Sequence, residues 1–131
     1  MEPSEALRSQ LLKLYEAMSS TKPDAVEVHY SLQPGSVFIG TDAFEFWTDS
    51  AEHNAAVRPF FDGSFGSWTW SASEAIALVE GSVGWTVDRP SIVLVDRAGA
   101  EARLEARVSL VWHLEDGVWR VVHSHASVGT A

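Results

Sequence analysis

The chain is expected to fold as one α+β domain of 131 residues, with helices covering one face of a curved antiparallel sheet. Three observations lead there. Apolar residues recur at spacings of three and four through the first part of the chain. From Ser64 onward Trp, Val, Thr and Ile crowd together between Gly and Asp-Gly turns, as strands do. The length is that of one ordinary domain, and 46% hydrophobic content suffices for a core. Helices first and strands afterwards is the α+β order. The helical part is placed at about 4–62 and the β part at about 64–128, with no linker, repeat or low-complexity tract between them.

Residues 4–19, SEALRSQLLKLYEAMS, put Leu7, Leu11, Leu14, Tyr15 and Met18 on one face behind Ser4 as N-cap, which predicts an amphipathic helix. Asp24 and Glu27 have capping-box spacing over a short second helix that should fail near Gln33-Pro34-Gly35. SVFIG then reads as a short strand. Asp42 and Glu45 repeat the capping spacing ahead of one or two helices through 42–62, broken around Thr48 to Ser50 and ended by Pro59 or Gly63. Strands are expected at about 67–80, 83–95, 102–114 and 118–128, as an antiparallel meander turning at Gly81-Ser82, Arg97-Ala98-Gly99 and Glu115-Asp116-Gly117.

Nine Lys and Arg stand against eighteen Asp and Glu, a net charge of −9, and the basic residues are scattered along the chain. That argues against nucleic acid or an anionic membrane surface as partner. With no cysteine there is no disulfide, thiolate nucleophile or sulfur-bound zinc. Met1 to Glu5 lacks the basic start and apolar run of a signal peptide, no stretch is long enough to span a membrane, and a cytoplasmic protein without cofactor is expected.

RVVHSHAS, residues 120–127, sets His123 and His125 two apart on one strand. A metal site with His113 as third ligand is the sharpest use of that spacing. Strand register decides it. With a three-residue turn at 115–117, Ser109 faces His123, Arg107 faces His125, and His113 lies roughly 13 Å along the strand from His123. Ligands about 2 Å from one metal cannot span that. With a two-residue turn the pairing slips by one, Leu110 and Val108 oppose the histidines, and His113 points to the other face. No metal is therefore expected, although His53 or His29 from the helical layer would complete a site in principle. Acid–base work is the second use. The plainer one is a pair of rings hydrogen-bonded on a covered sheet face by Ser109, Arg107 or Ser127.

The segments GTDAFEFW, EGSVGWTVDRP and RVSLVWHLEDGVWRVVHSHASVG resemble the SnoaL-like branch of the nuclear transport factor two and ketosteroid isomerase superfamily. The strand pair VWHLEDGVWRVVHSHAS is also similar to the one closing the association domain of calcium/calmodulin-dependent protein kinase II. The resemblance runs from residue 5 to 128 and is specific for fold, weak for activity. It implies a cystatin-like roll, a cone-shaped, strongly curved sheet wrapped by about three helices around a pocket, usually dimerising through the outer sheet face. Positions 110 and 126 are pocket arginines in the kinase domain, and they share a face only with the three-residue turn, which the resemblance therefore favours. Arg107, Trp119, His123 and His125 then face outward, where a second copy would cover them.

This sequence departs from its relatives where their chemistry sits. The isomerase base falls about where Phe38 and Ile39 stand, the isomerase tyrosine lies one helical turn before Tyr15, and the arginines that hold an acidic ligand are replaced by Leu110 and Ala126. Neither isomerisation by that base nor acidic-ligand binding carries over. What remains is an apolar pocket for a small molecule, with Tyr15, Phe38, Leu110 and Ala126 around it. Of six tryptophans, Trp47, Trp85 and Trp112 fall in segments that the relatives place at the cavity, although aromatics also build the core of any small curved sheet. Asp88 in GWTVDRP is the candidate general base if apolar neighbours raise its pKa, and otherwise caps a strand or pairs with Arg89. Tyr15 and Tyr30 offer phenols. Two functions compete: proton transfer on an apolar carbonyl compound that isomerises or cyclises it, and a non-catalytic dimeric binding or assembly module.

Overall fold

The computed structural model describes residues 1–129; residues 130 and 131, the end of the expected domain, lie outside the described residues. After the two-residue strand β1 (Glu2–Pro3), Ser4 opens α1 (Glu5–Met18) as its spacing predicts, its Oγ accepting the Leu7 N–H at 3.1 Å. Leu7, Leu11 and Leu14 are almost wholly buried on one face of that helix. The close approach of α1 to the sheet depends on Gly84: a Cβ there would lie 2.6 Å from Leu7 Cδ2.

α2 (Pro23–Glu27) starts one residue before Asp24, with Pro23 in its first turn, and is only five residues long. Asp24 and Glu27 are not a capping box. Both carboxylates hold Arg58 of α3 (Ser50–Phe61), at 3.0 and 2.7 Å, and tie the two helices together.

β2 (Val37–Ile39) lies where expected, but Asp42 and Glu45 head no helix. Glu45 Oε1 accepts the Asp42 N–H at 2.9 Å inside the turn of a hairpin, β2 with β3 (Phe46–Trp47). A capping contact needs only a turn of backbone, so the same spacing served a hairpin. The helix, α3 (Ser50–Phe61), begins with Asp49, whose Oδ1 accepts the Glu52 N–H at 2.9 Å, and runs through Pro59 to stop before Gly63.

Each of the first two expected long strands is two strands: β4 (Ser67–Ser71) and β5 (Ile76–Glu80), then β6 (Val83–Asp88) and β7 (Ser91–Val95). One carboxylate joins the two breaks, since Asp88 accepts the Ser73 N–H at 3.2 Å. β8 (Glu101–Glu115) is long enough to pair with β7 through its first part and β6 through its second, and β9 (Val118–Val128) follows. The main path of the sheet runs β1-β5-β6-β8-β9-β2-β3, with β7 also on β8 and β4 on β7. It is not wholly antiparallel, because β2 adds to β9 in parallel.

The β8–β9 turn has two residues, not three. Asp116 and Gly117 both have positive φ, 50° and 81°, which suits the right-handed twist of a tight hairpin. Trp112 therefore pairs with Val121 and Leu114 with Trp119. A bulge at Val122 then moves the ladder on by one residue, so that Val111 pairs with His123, Ser109 with His125 and Val108 with Ala126. Neither register expected from the sequence is observed over the whole hairpin. The bulge reverses the alternation within β9: Ser124 and Ala126 fall on the inner face with Leu110, and His123 and His125 on the outer face. Trp119 sits before the bulge, on the face of Val121 and Trp112, and packs against the core instead of pointing outward with the histidines.

The core is Leu7, Leu11 and Leu14 of α1, Val26, Phe38, Trp112 and Val121, each at most 1% exposed. Among the described residues no helix is long and apolar enough to cross a membrane.

Candidate functional site: an apolar cavity with one buried imidazole

A cavity of about 410 Å³ opens between α1, α3, the β2–β3 hairpin and the inner sheet face, and its lining is mostly apolar. Of the residues expected around it, Tyr15, Trp47, Leu110 and Ala126 line it. Three do not. Phe38 and Trp112 are fully buried in the core beneath it, where Trp112 Nε1 donates to Thr86 Oγ1 at 3.0 Å. Trp85 lies on the other face of the sheet, because Gly84, Thr86 and Asp88 take the buried positions of β6 and leave the odd-numbered residues outward.

Asp88 is buried to 3% exposure just outside the cavity lining. It makes no ion pair with Arg89 among the described residues. Its Oδ2 instead accepts the Tyr15 hydroxyl at 3.1 Å, beside the Ser73 N–H already noted. Burial first, and the neighbouring Asp88 charge second, push the Tyr15 phenol far above its ordinary 10.0, so it remains a donor whose proton is committed to Asp88.

The titratable groups that line the cavity are Tyr15, Tyr30, Glu45 and His53, the last of which the sequence offered only as a conceivable metal ligand. α3 delivers it one turn after the Asp49 cap, into an aromatic nest whose ring centroids lie 4.2 Å (Phe38), 4.9 Å (Tyr30) and 5.3 Å (Trp47) from its own. Its Nδ1 stands 3.0 Å from Asn54 Oδ1. With the amide oxygen as acceptor the contact suits the neutral tautomer that carries its proton on Nδ1 and a lone pair on Nε2. Burial lowers the imidazole pKa below 6.5, with the Asn54 contact a smaller opposing effect. Tyr30, also lining the cavity, is buried, and that burial raises its phenol well above 10.0. Two more wall residues, Trp68 and Trp70, have buried indole N–H groups without a hydrogen-bond partner among the described residues.

The histidines that first drew attention are elsewhere. His123 donates from Nδ1 to the Val37 carbonyl at 2.8 Å, which fastens β2 against β9 next to the bulge. His113 pairs with Glu115 at 3.6 Å. Among the described residues no three His, Asp or Glu side chains stand close enough to hold a metal ion.

No curated protein matches this sequence. The fold, however, is shared with many solved structures. A proposed dehydratase of the NTF2-like family from Streptomyces avermitilis superposes with a TM-score of 0.84 at 13% identity, over 97% of this chain and 96% of that one. A proposed calcium/calmodulin-dependent protein kinase II association domain from Xanthomonas campestris gives 0.82 at 16%, over 98% and 89%. A proposed scytalone dehydratase from Novosphingobium aromaticivorans gives 0.82 at 9%, over 95% and 83%. At such identities the superpositions establish the fold alone. The sequence itself goes further: residues 7–131 match the model of the SnoaL-like domain, and the chain belongs to that family.

Proposed function

We propose that the protein binds a small, largely apolar carbonyl compound in the cavity and moves a proton on it, with His53 as base. The observation that carries this is the His53 imidazole, its pKa lowered by burial, in a mostly apolar cavity wall. Nε2 takes a proton from the carbon next to the carbonyl, the C–H electron pair becomes a carbon–carbon double bond, and the carbonyl π pair moves onto the oxygen. The Tyr30 hydroxyl, held protonated by burial, donates to the enolate oxygen that forms. Return of the proton at another carbon isomerises the compound. Loss of a hydroxide from the neighbouring carbon would dehydrate it, the reaction named for two of the structural relatives. Tyr15 and Asp88 position the wall and take no part in the transfer.

The test is exchange of α-protons of small aryl ketones in D2O, followed by proton NMR. His53→Gln should slow exchange about a hundredfold or more while changing ketone affinity little. The wild-type rate should be flat at neutral pH and fall only in acid, at a pH lower than the 6.5 of a free imidazole, because burial lowers the His53 pKa. Ala126→Trp, which takes up part of the cavity, should weaken binding at least about tenfold. Exchange that survives His53→Gln sinks the catalytic assignment; ketone affinity unchanged in Ala126→Trp sinks the cavity.

A second copy of the chain is the partner we propose for the outer sheet face. Trp85 and Val111 are paired there, with Val83, Val87 and Ile76 each more than 40% exposed nearby. Continuous apolar surface of this kind marks an interface. Trp85→Glu should convert a species of twice the chain mass into monomer in sedimentation equilibrium, without loss of helix signal. A wild-type monomer at high concentration removes the proposal.

A further inference from the structure

We propose that the outer face of the sheet also carries a binding site for a small oxyanion, a carboxylate or phosphate group, built by Arg89, Arg107 and His125. These residues line a second depression, of about 350 Å³, together with Ser109 and Ser127. They are far apart in sequence, and strand register assembles them. Val87, Ser109 and His125 form one row across β6, β8 and β9; Arg107 and Ser127 pair in the next. Arg89 joins that second row, because the ladder continues from Asp88–Val108 to the hydrogen bond from the Ala106 N–H to the Pro90 carbonyl, 3.2 Å.

Two arginines thus stand side by side on adjacent strands in a chain of net charge −9. Like charges directly opposite each other oppose folding, and proteins normally place a carboxylate between them. Here neither arginine has an ion-pair partner among the described residues, although Arg58, Arg103 and Arg120 all do. Asp88 borders the depression, but its carboxylate is engaged on the inner side by Tyr15 and Ser73. An oxyanion supplies what the site lacks: acceptors for two planar guanidinium forks, with the two serine hydroxyls and the imidazole as further donors. The depression lies at the Arg89 end of the face, next to the apolar strip at Trp85 and Val111, and on the opposite side of the sheet from the cavity.

Inorganic phosphate and, separately, succinate are titrated into the protein at constant ionic strength, with chloride as balancing ion, and the ring protons of His125 are followed by NMR. At least one anion should give saturable shifts, and which one saturates identifies the headgroup. Arg107→Gln and Arg89→Gln should each weaken binding about tenfold, the share of one charge-assisted hydrogen bond, whereas Arg97→Gln, in the distant β7–β8 turn, should not. Shifts that never saturate with either anion, or an equal loss in Arg97→Gln, overturn the site in favour of bulk charge. Arg107→Gln that leaves anion shifts intact and instead changes the sedimentation mass overturns it in favour of a protein contact.

Discussion

Trp112→Ala is expected to lower the free energy of unfolding by about 3–5 kcal/mol, the range for removing a large aromatic from a packed core. The ring is completely buried near the C-terminal end of β8, flanked by Gly84 on β6 and Val121 on β9. Its removal opens a cavity and also leaves the Thr86 hydroxyl, itself 1% exposed, without its indole donor. Urea denaturation of the variant measures the loss, and Trp112→Phe separates its parts. Phe keeps most of the volume, so its cost should be the smaller one of the hydrogen bond and residual space. A loss below about 1 kcal/mol in the alanine variant would mean that the ring borders empty space and that Trp112 is a cavity wall after all.

Asp88→Ala is expected to cost about 1–3 kcal/mol, because the buried Tyr15 hydroxyl loses its acceptor, while the Ser73 N–H, at an exposed residue, turns to water. The effect belongs to the pair. Tyr15→Phe alone removes one donor, and the double variant should cost less than the two singles summed. Ketone exchange measured on a stable Asp88→Asn variant separates stability from catalysis. Under the His53 assignment that variant keeps most of its exchange rate; loss of exchange with folding intact would make Asp88 the base.

The two experiments share a theme, which is how far residue type alone could assign these side chains. Six tryptophans and an Asp in an apolar segment suggested a pocket and a base. Their chemistry was legible, but their face of the sheet was not. Trp85 and Trp112 differ by one step of strand alternation relative to the interior, and that step sends one outward and the other into the core. His53 illustrates the converse. Its segment reads as an ordinary polar stretch of an amphipathic helix, SAEHNAAV, and nothing in that pattern separates a solvent-facing histidine from one turned against Phe38. Only the packing of α3 on the β2–β3 hairpin does. The Arg89–Arg107 pair was equally out of reach, since basic residues scattered along the chain became neighbours through the ladder between β6 and β8.

Local signals fared well wherever the physics is local. The Ser4 cap, the leucine face of α1, the change to β structure after Ser64, and the Gly and Asp-Gly turns all depend on contacts within a few residues, and the α+β class follows from their order. Asp42 and Glu45 mark the limit of that logic, because one side-chain-to-backbone contact fits a helix start and a hairpin turn alike. Register was decided only by the tertiary structure. A type of turn set by two positive φ angles, and one inserted residue at Val122, together restored the face of Leu110 and Ala126 while leaving Trp119 behind on the core side. A strand's side chains alternate with a period of two, so a single residue more or less exchanges its faces, and the bulge at Val122 sits where β2 and the segment His29–Ser31 bond to β9, partners that lie far away in sequence.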